Sequence, residues 1–262
     1  MSSHDMAVKS VVYDSTHKIL ISASWDKTLH IHHPHQPTLT PATLTLPAKP
    51  FSLALSPSKL IVAMANRVNN IYDISALAMI SGQASQPPPN SIDLEPFQIR
   101  ESSLKFMTRA VACMPNDDGY ASSSIEGRVA VEWFDASEES QKRKYAFKCH
   151  RVAAPPAADD SEAEPVDIVY PVHALAFHPV LGSFVSGGGD GVVAVWDAIG
   201  KRRIRQYKAY AASVAALAFS QDGSLLAAGI SPGFEEGKEY NVGEGNVKVF
   251  IRQLTENEMK SK

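Results

Sequence analysis

The amino-acid sequence predicts an all-β protein built from five copies of one module, arranged like the blades of a propeller. An alternating apolar segment, a polar turn, a strand of small residues, a tight turn and a second alternating strand recur along the 262 residues. Asp26, Asn66, Gly127 and Asp190 stand at equivalent turn positions, about 40 residues apart at first and about 60 thereafter. No helical period of useful length competes. A module repeated at this spacing is typical of four-stranded propeller blades.

The copies span most of the chain, so we expect one domain covering residues 1–262. The blade units lie near residues 4–33, 51–74, 101–151, 170–197 and 213–252. Between the first two strands of the second to fifth units, the runs "SPSK", "MPNDDG", "HPVLG" and "SQDG" place Pro, Asn, Asp or Gly where a hairpin must reverse. Each unit therefore predicts its own hairpins from local turn chemistry.

The fourth copy is the most regular of the five. It reads "VHALAFHPVLGSFVSGGGDGVVAVWD", and its turn aspartate, Asp190, can accept hydrogen bonds that tie the turn to the neighbouring strand. Earlier copies end in "HIHH", "NIYD" and "EWFD" instead. These degenerate endings support the fold but do not predict the same hydrogen bonds in every blade.

Three connections interrupt the modules. The runs "HPHQPTLTPATLTLP" and "SGQASQPPPNS" are rich in Pro, Ser and Thr, and the acidic insert at residues 153–168 lacks the apolar content needed to order itself. We expect all three to be loops, the last one mobile. Before the insert, Tyr145, Phe147 and Cys149 alternate and predict an outer strand that completes the third blade. A polar helical turn at "TENEMKSK" is the one helical element expected.

Composition excludes several classes of function. The formal charge of -3 and the pI near 6.3 give no polybasic field for non-specific nucleic-acid binding. Cys113 and Cys149 form no CxxC pair, which suits a reducing cytosolic or nuclear compartment, and both are expected to be small core residues. No apolar stretch has the length of a signal peptide core or a membrane span, so we expect neither secretion nor a membrane partner.

No motif predicts catalysis, a metal site or a cofactor. The run "HIHHPH" contains four histidines but no acid or thiol at a known zinc spacing, so a solvated strand end is favoured. The glycines of "SGGGDG" lead into a strand rather than a helix and match no phosphate-binding loop. The chain is therefore expected to be a binding protein and not an enzyme.

Longer motifs resemble one group of WD-repeat proteins. "RESSLKFMTRAVACMPNDDGYASSSIEGRVAVEWFD" and "KYAFKCHR" are similar to the Bub-type spindle-checkpoint propeller and to its sister, the Rae/Gle mRNA-export propeller. The runs "SIEGRVA" and "FKCHR" are common to both, whereas "AVEWFD", "KRRIRQY" and "FIRQL" look more like the checkpoint member. The resemblance covers residues 4–33 and 51–252.

The resemblance implies a seven-bladed ring, of which five blades are recognisable here. The opening "HDMAVKSV" looks like the family's third blade, so we expect an N-terminally truncated propeller with two exposed sheet faces. A tightened ring of five blades is the alternative.

The same resemblance implies a non-catalytic adaptor of the spindle assembly checkpoint, found in the nucleus, at kinetochores in mitosis and in a cytoplasmic pool. Its upper surface would bind the acidic GLEBS segment of a Bub-type kinase and a Mad-type checkpoint protein. It would also bind phosphothreonine in the MELT repeats of a kinetochore scaffold. The residues implied are Arg151, Arg128, Lys148, Glu126, Trp25 and Arg67, since guanidinium groups grip carboxylates and phosphates bidentately.

Each candidate also has a simpler interpretation. Arg128 could merely pair with Glu126 or Glu132, Arg151 could be a solvated residue at a loop start, and Lys148 could protect an outer strand from aggregation. Trp25 could pack in the core or anchor a peptide, and Arg67 could line the same rim as Arg128. Phe106 is expected in the core. Two other functions remain open: the mRNA-export propeller that binds a nucleoporin GLEBS segment, and a scaffold subunit of a chromatin or ubiquitin-ligase complex.

Overall fold

The computed structural model describes residues 2–36, 38–82, 94–154, 166–233 and 247–260. Within these ranges the strands form five antiparallel sheets and one short hairpin, in the order of the five predicted modules. Four of the sheets have four strands and the fifth has three. The described structure is therefore all-β in architecture, with one sheet for each predicted blade.

The strand bounds follow the sequence modules. The first blade contains β1 (Val8–Asp14), β2 (Ile19–Ser24), β3 (Thr28–His32) and β4 (Ala42–Thr45). The second contains β5 (Pro50–Leu55), β6 (Lys59–Met64), β7 (Val68–Asp73) and β8 (Gln98–Glu101). The third contains β9 (Thr108–Cys113), β10 (Gly119–Ser124), β11 (Arg128–Trp133) and β12 (Tyr145–Lys148).

The remaining strands complete the architecture. A hairpin of β13 (Arg151–Ala153) and β14 (Asp167–Val169) precedes the fourth blade. That blade contains β15 (Val172–Phe177), β16 (Ser183–Gly188), β17 (Val193–Asp197) and β18 (Arg202–Gln206). The fifth blade contains β19 (Val214–Phe219), β20 (Leu225–Ile230) and β21 (Lys248–Gln253). The helices are α1 (Ile74–Gly82), α2 (Glu138–Lys142) and α3 (Glu256–Met259), and none of the described helices is long and apolar enough to cross a membrane.

The second, third and fourth sheets each bury both faces between two neighbouring sheets, because side chains alternate along a strand. In the fourth blade, Phe184 packs toward the third blade while the adjacent Val185 packs toward the fifth, and both are fully buried. The first strands of the blades pack in chain order, β1 on β5, β5 on β9, β9 on β15 and β15 on β19. Small residues on the central strands, such as Ala121 and Ala194, allow the sheets to approach closely.

The two ends of this row of blades differ. The outward face of the fifth blade is apolar and open, with Val249 72% and Ile251 69% exposed. The outward face of the first blade is instead partly covered by the N-terminal residues, where His4 stacks on His30 with ring centroids 3.7 Å apart. Among the described residues, no packing like that between successive blades joins β19 to β1. The expected exposed face is therefore present at the fifth blade and partly covered at the first.

Turns and connections divide between two rims. We call the upper rim the edge formed by the turns between second and third strands and by the connections from one blade to the next. The lower rim carries the turns between first and second strands and between third and fourth strands. Hydrogen bonds join like rims of neighbouring blades: Asp117 on the lower rim of the third blade accepts from Ser58 on the lower rim of the second at 2.5 Å.

Three local predictions were wrong. Residues 42–45 form the outer strand β4, although the Pro- and Thr-rich run around them was expected to be a loop, because pairing with β3 overrides local composition. Helix α1 follows the second blade's third strand, where Asp73 accepts from the backbone N–H of Ser75 at 3.0 Å at the helix start. The acidic insert begins and ends in the β13–β14 hairpin. Its central residues, 155–165, and most of the second predicted loop lie outside the described residues.

Asp117 is expected to stabilise the packing of the second blade on the third. Its carboxylate accepts from the hydroxyls of Ser56 and Ser58, and these bonds outweigh burial, which by itself would raise its pKa, so that the pKa is lowered. The Asp117→Asn variant keeps the left-handed backbone, which Asn tolerates, but loses the charge-assisted bonds. We expect the free energy of unfolding to fall by about 1 kcal/mol. Urea denaturation measures this, with exposed Asp118→Asn as the control; equal effects would contradict the prediction.

Buried histidines in the first blade predict a loss of stability in mild acid. Burial, together with the nearby His4, lowers the pKa of His30 from 6.5 to about 4. Because the folded state disfavours the protonated ring, its contribution to stability is complete above pH 6.5 and is lost as the pH falls toward 4. We expect His30→Gln to flatten this part of the curve in urea denaturation at pH 7, 5.5 and 4. Exposed His35→Gln is the control, and an unchanged slope in His30→Gln would contradict the prediction.

Candidate functional site

The candidate site lies on the upper rim of the third blade, where the β10–β11 turn meets the connection that follows β12. Gly127 adopts a left-handed backbone with φ of 62°, and a Cβ there would lie 2.6 Å from the carbonyl oxygen of Cys149. The backbone N–H of Cys149 donates to the carbonyl of Gly127 at 2.9 Å. Only glycine permits this close approach, which brings the turn beside the segment that carries Arg151.

Glu126 binds both candidate arginines. The Nη2 of Arg151 donates to the backbone carbonyl of Glu126 at 2.8 Å, and the Nε of Arg128 lies 3.3 Å from the Glu126 carboxylate. Asp167 of the hairpin adds a longer contact, 3.9 Å from Nη1 of Arg151. The Nε atoms of both arginines are buried and make no hydrogen bond to described residues. Their contacts thus hold the two guanidinium groups on one rim.

Lys148 completes this cationic cluster. It lies directly across from Arg128 in the β11–β12 pairing, and its side chain is exposed. Like charges opposite each other on a sheet destabilise it unless another group compensates. Glu126 compensates one charge, so a net positive field remains among Arg128, Lys148 and Arg151. We call Glu126, Arg128, Lys148 and Arg151 the rim cluster.

The structure supports only some of the simpler interpretations of the rim residues. Arg128 does pair with Glu126, yet its side chain is still 34% exposed. Glu132 is not its partner, because that carboxylate is buried and accepts from the hydroxyl of Tyr120 at 2.9 Å. Arg151 lies at the start of β13 with 18% of its side chain exposed, so it is held in place and not freely solvated. The pattern resembles a binding surface more than an incidental surface ion pair.

His150 positions Arg151 through a hydrogen-bonded chain within the fourth blade. Trp196 Nε1 donates to Ser186 Oγ at 2.8 Å, Ser186 Oγ lies 2.8 Å from His150 Nε2, and His150 Nδ1 lies 2.8 Å from Asp190. A neutral imidazole ring that accepts a hydrogen bond from Ser186 and donates one to Asp190 gives each of these four side chains a hydrogen-bond partner. His150 itself has φ of 49°, a strained conformation that this chain of bonds maintains. The sequence predicted hydrogen bonds to Asp190, but no sequence pattern indicated a role for His150.

The first blade repeats part of this arrangement. His4 Nε2 lies 2.8 Å from Ser22 Oγ and its Nδ1 lies 3.1 Å from Asp26. His32 pairs with Leu20 in the same register in which Trp196 pairs with Phe184, so a histidine replaces the tryptophan. With the ending "HIHH", the first blade therefore lacks the tryptophan of this series of hydrogen bonds but retains its serine, histidine and aspartate.

Several apolar side chains are exposed on the same rim. Trp25 lies in the β2–β3 turn and is 40% exposed, which favours display over core packing. Phe106 is 51% exposed, so the prediction that it belongs to the core was wrong. Met107 beside it accepts from the backbone N–H of Ile125 at 3.1 Å, which brings this connection to the rim cluster. The position of Phe106 in the sequence could have indicated its exposure, because Phe106 precedes β9 and lies outside the alternating strand.

Arg67 occupies the equivalent turn of the second blade but serves its own blade. Its guanidinium binds the carboxylate of Glu101 and donates to the carbonyl of Leu104 at 3.3 Å. The structure therefore places Arg67 on the upper rim without a contact to the rim cluster. Its partners leave less of its charge available for a ligand.

A groove of about 360 Å³ opens between the third and fourth blades beside Arg151. Val192 and Trp196 form part of its apolar lining, and Arg203 and Gln206 contribute polar groups from β18. Arg203 donates to Gln206 at 2.8 Å. A cation from the fourth blade thus faces the same groove as Arg151, a feature that no local sequence pattern indicated.

The described residues contain no group of three or more side chains suited to a metal ion. Burial raises the pKa of the Cys149 thiol to about 12, and burial also raises that of Cys113, so neither is an activated nucleophile in the part of the chain that the structure covers. The arrangement can bind an anionic, partly apolar segment.

Comparisons with known proteins identify the family of this chain. The family model "WD domain, G-beta repeat" matches residues 1–33, 169–197 and 201–233. The chain is 43% identical over 266 residues to "Mitotic checkpoint protein BUB3.1" of Arabidopsis thaliana, covering all of this chain and 70% of that protein. It is 31% identical over 263 residues to "Poly(A)+ RNA export protein" of Schizosaccharomyces pombe, covering 99% of this chain and 67% of that protein.

A solved structure supports the fold alone. The β-propeller domain of Cps50 (Swd1) from Myceliophteria thermophila superposes with a TM-score of 0.59 at 12% sequence identity, covering 95% of this chain and 72% of that domain. The predicted propeller of WD repeats is confirmed, and the higher identity to the checkpoint protein agrees with the preference drawn from "AVEWFD" and "FIRQL".

Proposed function

The chain belongs to the Bub3 family of WD40-repeat proteins, and from this premise we propose that it is a non-catalytic adaptor of the spindle checkpoint. In this proposal its upper rim binds an acidic GLEBS segment of a checkpoint kinase and of a Mad-type protein. It acts in the nucleus and at kinetochores during mitosis, with a cytoplasmic pool.

The observation that carries the proposal is the rim cluster. Arg128, Lys148 and Arg151 gather three positive charges on one rim, with Glu126 and Asp167 as their nearby acids. The guanidinium groups of Arg128 and Arg151 are partly exposed, and a guanidinium group can bind a carboxylate through two parallel hydrogen bonds. Exposed Phe106 and Met107 on the same rim can bury the apolar residues of an extended peptide.

We also propose that phosphothreonine in a MELT-type repeat binds beside the acidic segment. A phosphate carries about -1.5 to -2 charges and three acceptor oxygens, which suits Arg151 and Lys148. The family resemblance implies a second basic side chain near "HPVLGS" in the fourth blade, where this chain has Gly182. Arg203, which lines the groove beside Arg151, is an alternative source of that charge.

The main rival is an export-type propeller that binds a nucleoporin GLEBS segment, since the export protein of S. pombe is also a relative. A scaffold subunit that binds neither class of peptide is the second rival. The higher identity to the checkpoint relative supports the checkpoint role, because identity is 43% there and 31% for the export protein.

Peptide titration tests the proposal. The purified full chain is titrated calorimetrically with a GLEBS peptide from a checkpoint kinase, one from a nucleoporin, and a MELT peptide with and without phosphothreonine. We expect preferential binding of the checkpoint peptide and of the phosphorylated MELT form. Preference for the nucleoporin peptide would favour export, equal affinity for both MELT forms would remove phosphate recognition, and no binding at all would favour a general scaffold.

A further inference from the structure

A second cationic pocket lies at the inner end of the upper rim, apart from the rim cluster. It has a volume of about 200 Å³, and its lining includes Lys9, Arg109 and His173 together with the hydroxyl-bearing Ser213 and Ser231. Lys9 comes from β1, Arg109 from β9 and His173 from β15, which are the innermost strands of the first, third and fourth blades. These residues stand near the upper ends of their strands, so the pocket lies on the inner side of the upper rim.

Among the described residues, the lining of this pocket concentrates positive charge and contains no carboxylate. The described lining residues include no Asp or Glu, and neither Lys9 nor Arg109 forms an ion pair with another described residue. The whole chain carries a formal charge of -3, so this concentration does not follow from composition. Cations that converge in a concave site repel one another, and an anionic ligand removes that repulsion.

His173 orients one of the cations. The Nη2 of Arg109 donates to His173 Nδ1 at 2.8 Å, so that nitrogen is an acceptor and the ring is neutral in this arrangement. The bond restrains the long side chain of Arg109, which is otherwise exposed on the inner side of the upper rim. A restrained guanidinium loses less conformational entropy on binding a ligand than a free one does.

We propose that this pocket binds a single anionic group of the size of a phosphate or a carboxylate. Its volume is below the range of roughly 300–1,000 Å³ typical of sites for larger organic ligands, so the group is small or is the end of a longer molecule. The source is either a free phosphate or the acidic side chain of a peptide that crosses the upper rim. The peptide source rests on the function proposed above, whereas binding of free phosphate does not, because none of the rim cluster residues lines this pocket.

Two titrations distinguish the sources. In the first, the full chain is titrated with inorganic phosphate at low ionic strength. In the second, it is titrated with the acidic GLEBS peptide. Both are repeated with Arg109→Gln and Lys9→Gln, and with Lys144→Gln as a control that removes one positive charge from the lower rim. Thermal unfolding confirms that each variant folds.

We expect Arg109→Gln to weaken the ligand at least about tenfold, which is the loss of one charge-assisted hydrogen bond, and Lys144→Gln to have no effect. Saturable phosphate binding that Arg109→Gln weakens identifies free phosphate as the source. Loss confined to the peptide identifies an acidic side chain. The inference is overturned if Arg109→Gln matches the wild type in both titrations, or if Lys144→Gln weakens binding equally. A peptide that fails to bind the wild type counts against the proposed function only, because the phosphate titration then decides the pocket.

Discussion

Replacing Arg151 by glutamate is expected to weaken binding of an acidic GLEBS peptide at least about a hundredfold, the largest effect of any single change on the rim. The substitution removes charge-assisted hydrogen bonds worth about 1.5–3 kcal/mol and adds repulsion between two carboxylates, and about 2.8 kcal/mol corresponds to a hundredfold change in affinity. Isothermal titration calorimetry of the full chain measures the change. Arg151→Lys should lose about tenfold, because lysine keeps the charge but not the planar fork.

The control for this experiment is Lys144→Glu, which changes the net charge by the same amount on the lower rim. It should leave peptide affinity within about twofold of the wild type, since exposed charges more than a Debye length of about 10 Å apart are largely screened at 0.1 M salt. Because Arg151 also donates to the carbonyl of Glu126, thermal unfolding of each variant must show that the fold persists. Unchanged affinity in a folded Arg151→Glu protein would remove Arg151 from the site.

The largest effect on stability is expected for His150→Ala, which should lower the free energy of unfolding by about 3 kcal/mol. His150 is buried, with 1% of its side chain exposed, and its removal leaves Asp190 and Ser186 without their shared partner. It also releases the strained backbone beside Arg151, so peptide affinity should fall even where the protein remains folded. Urea denaturation and calorimetry measure the two effects separately.

Two comparisons make the His150 prediction specific. His35→Ala changes an exposed histidine and should alter stability by less than about 0.5 kcal/mol. His4→Ala removes the corresponding ring in the first blade and should cost less than His150→Ala, since that chain of bonds lacks a tryptophan. A His150→Ala protein as stable as His35→Ala would mean that the chain from Trp196 to Asp190 contributes little.

Much of the fold could be predicted because blade structure is local. The alternation of "RVAVEW" and the turn at Gly127 predict β11 and its hairpin without reference to any other blade, and both occur in the structure. Prediction failed where a partner strand decides the outcome. β4 forms inside a Pro- and Thr-rich run because β3 provides its hydrogen-bond partners. In the fifth blade no described strand pairs with the outer edge of β21, so this blade has three strands among the described residues.

Only part of the candidate site could be predicted. Arg128 and Arg151 were identified through family motifs, and their placement on one rim agrees with that expectation. The sequence did not predict the exposure of Phe106, because that exposure depends on which surfaces the neighbouring blades cover. It did not predict the role of His150 either, because the partners of His150 lie 36 and 40 residues away along the chain. Hydrophobicity alone cannot distinguish an exposed phenylalanine on a connection from a buried one on a strand.

The sequence by itself determined the repeated blade, the positions of its hairpins and the family to which its motifs point, because strand alternation and turn geometry depend on residues within a few positions of one another. The tertiary structure alone decided that the backbone of Glu126 meets a guanidinium 25 residues away, and that Lys9, Arg109 and His173 line a single pocket. These contacts arise from the stacking of whole sheets, and the angle and order of that stacking are set by packing between faces that no short segment contains.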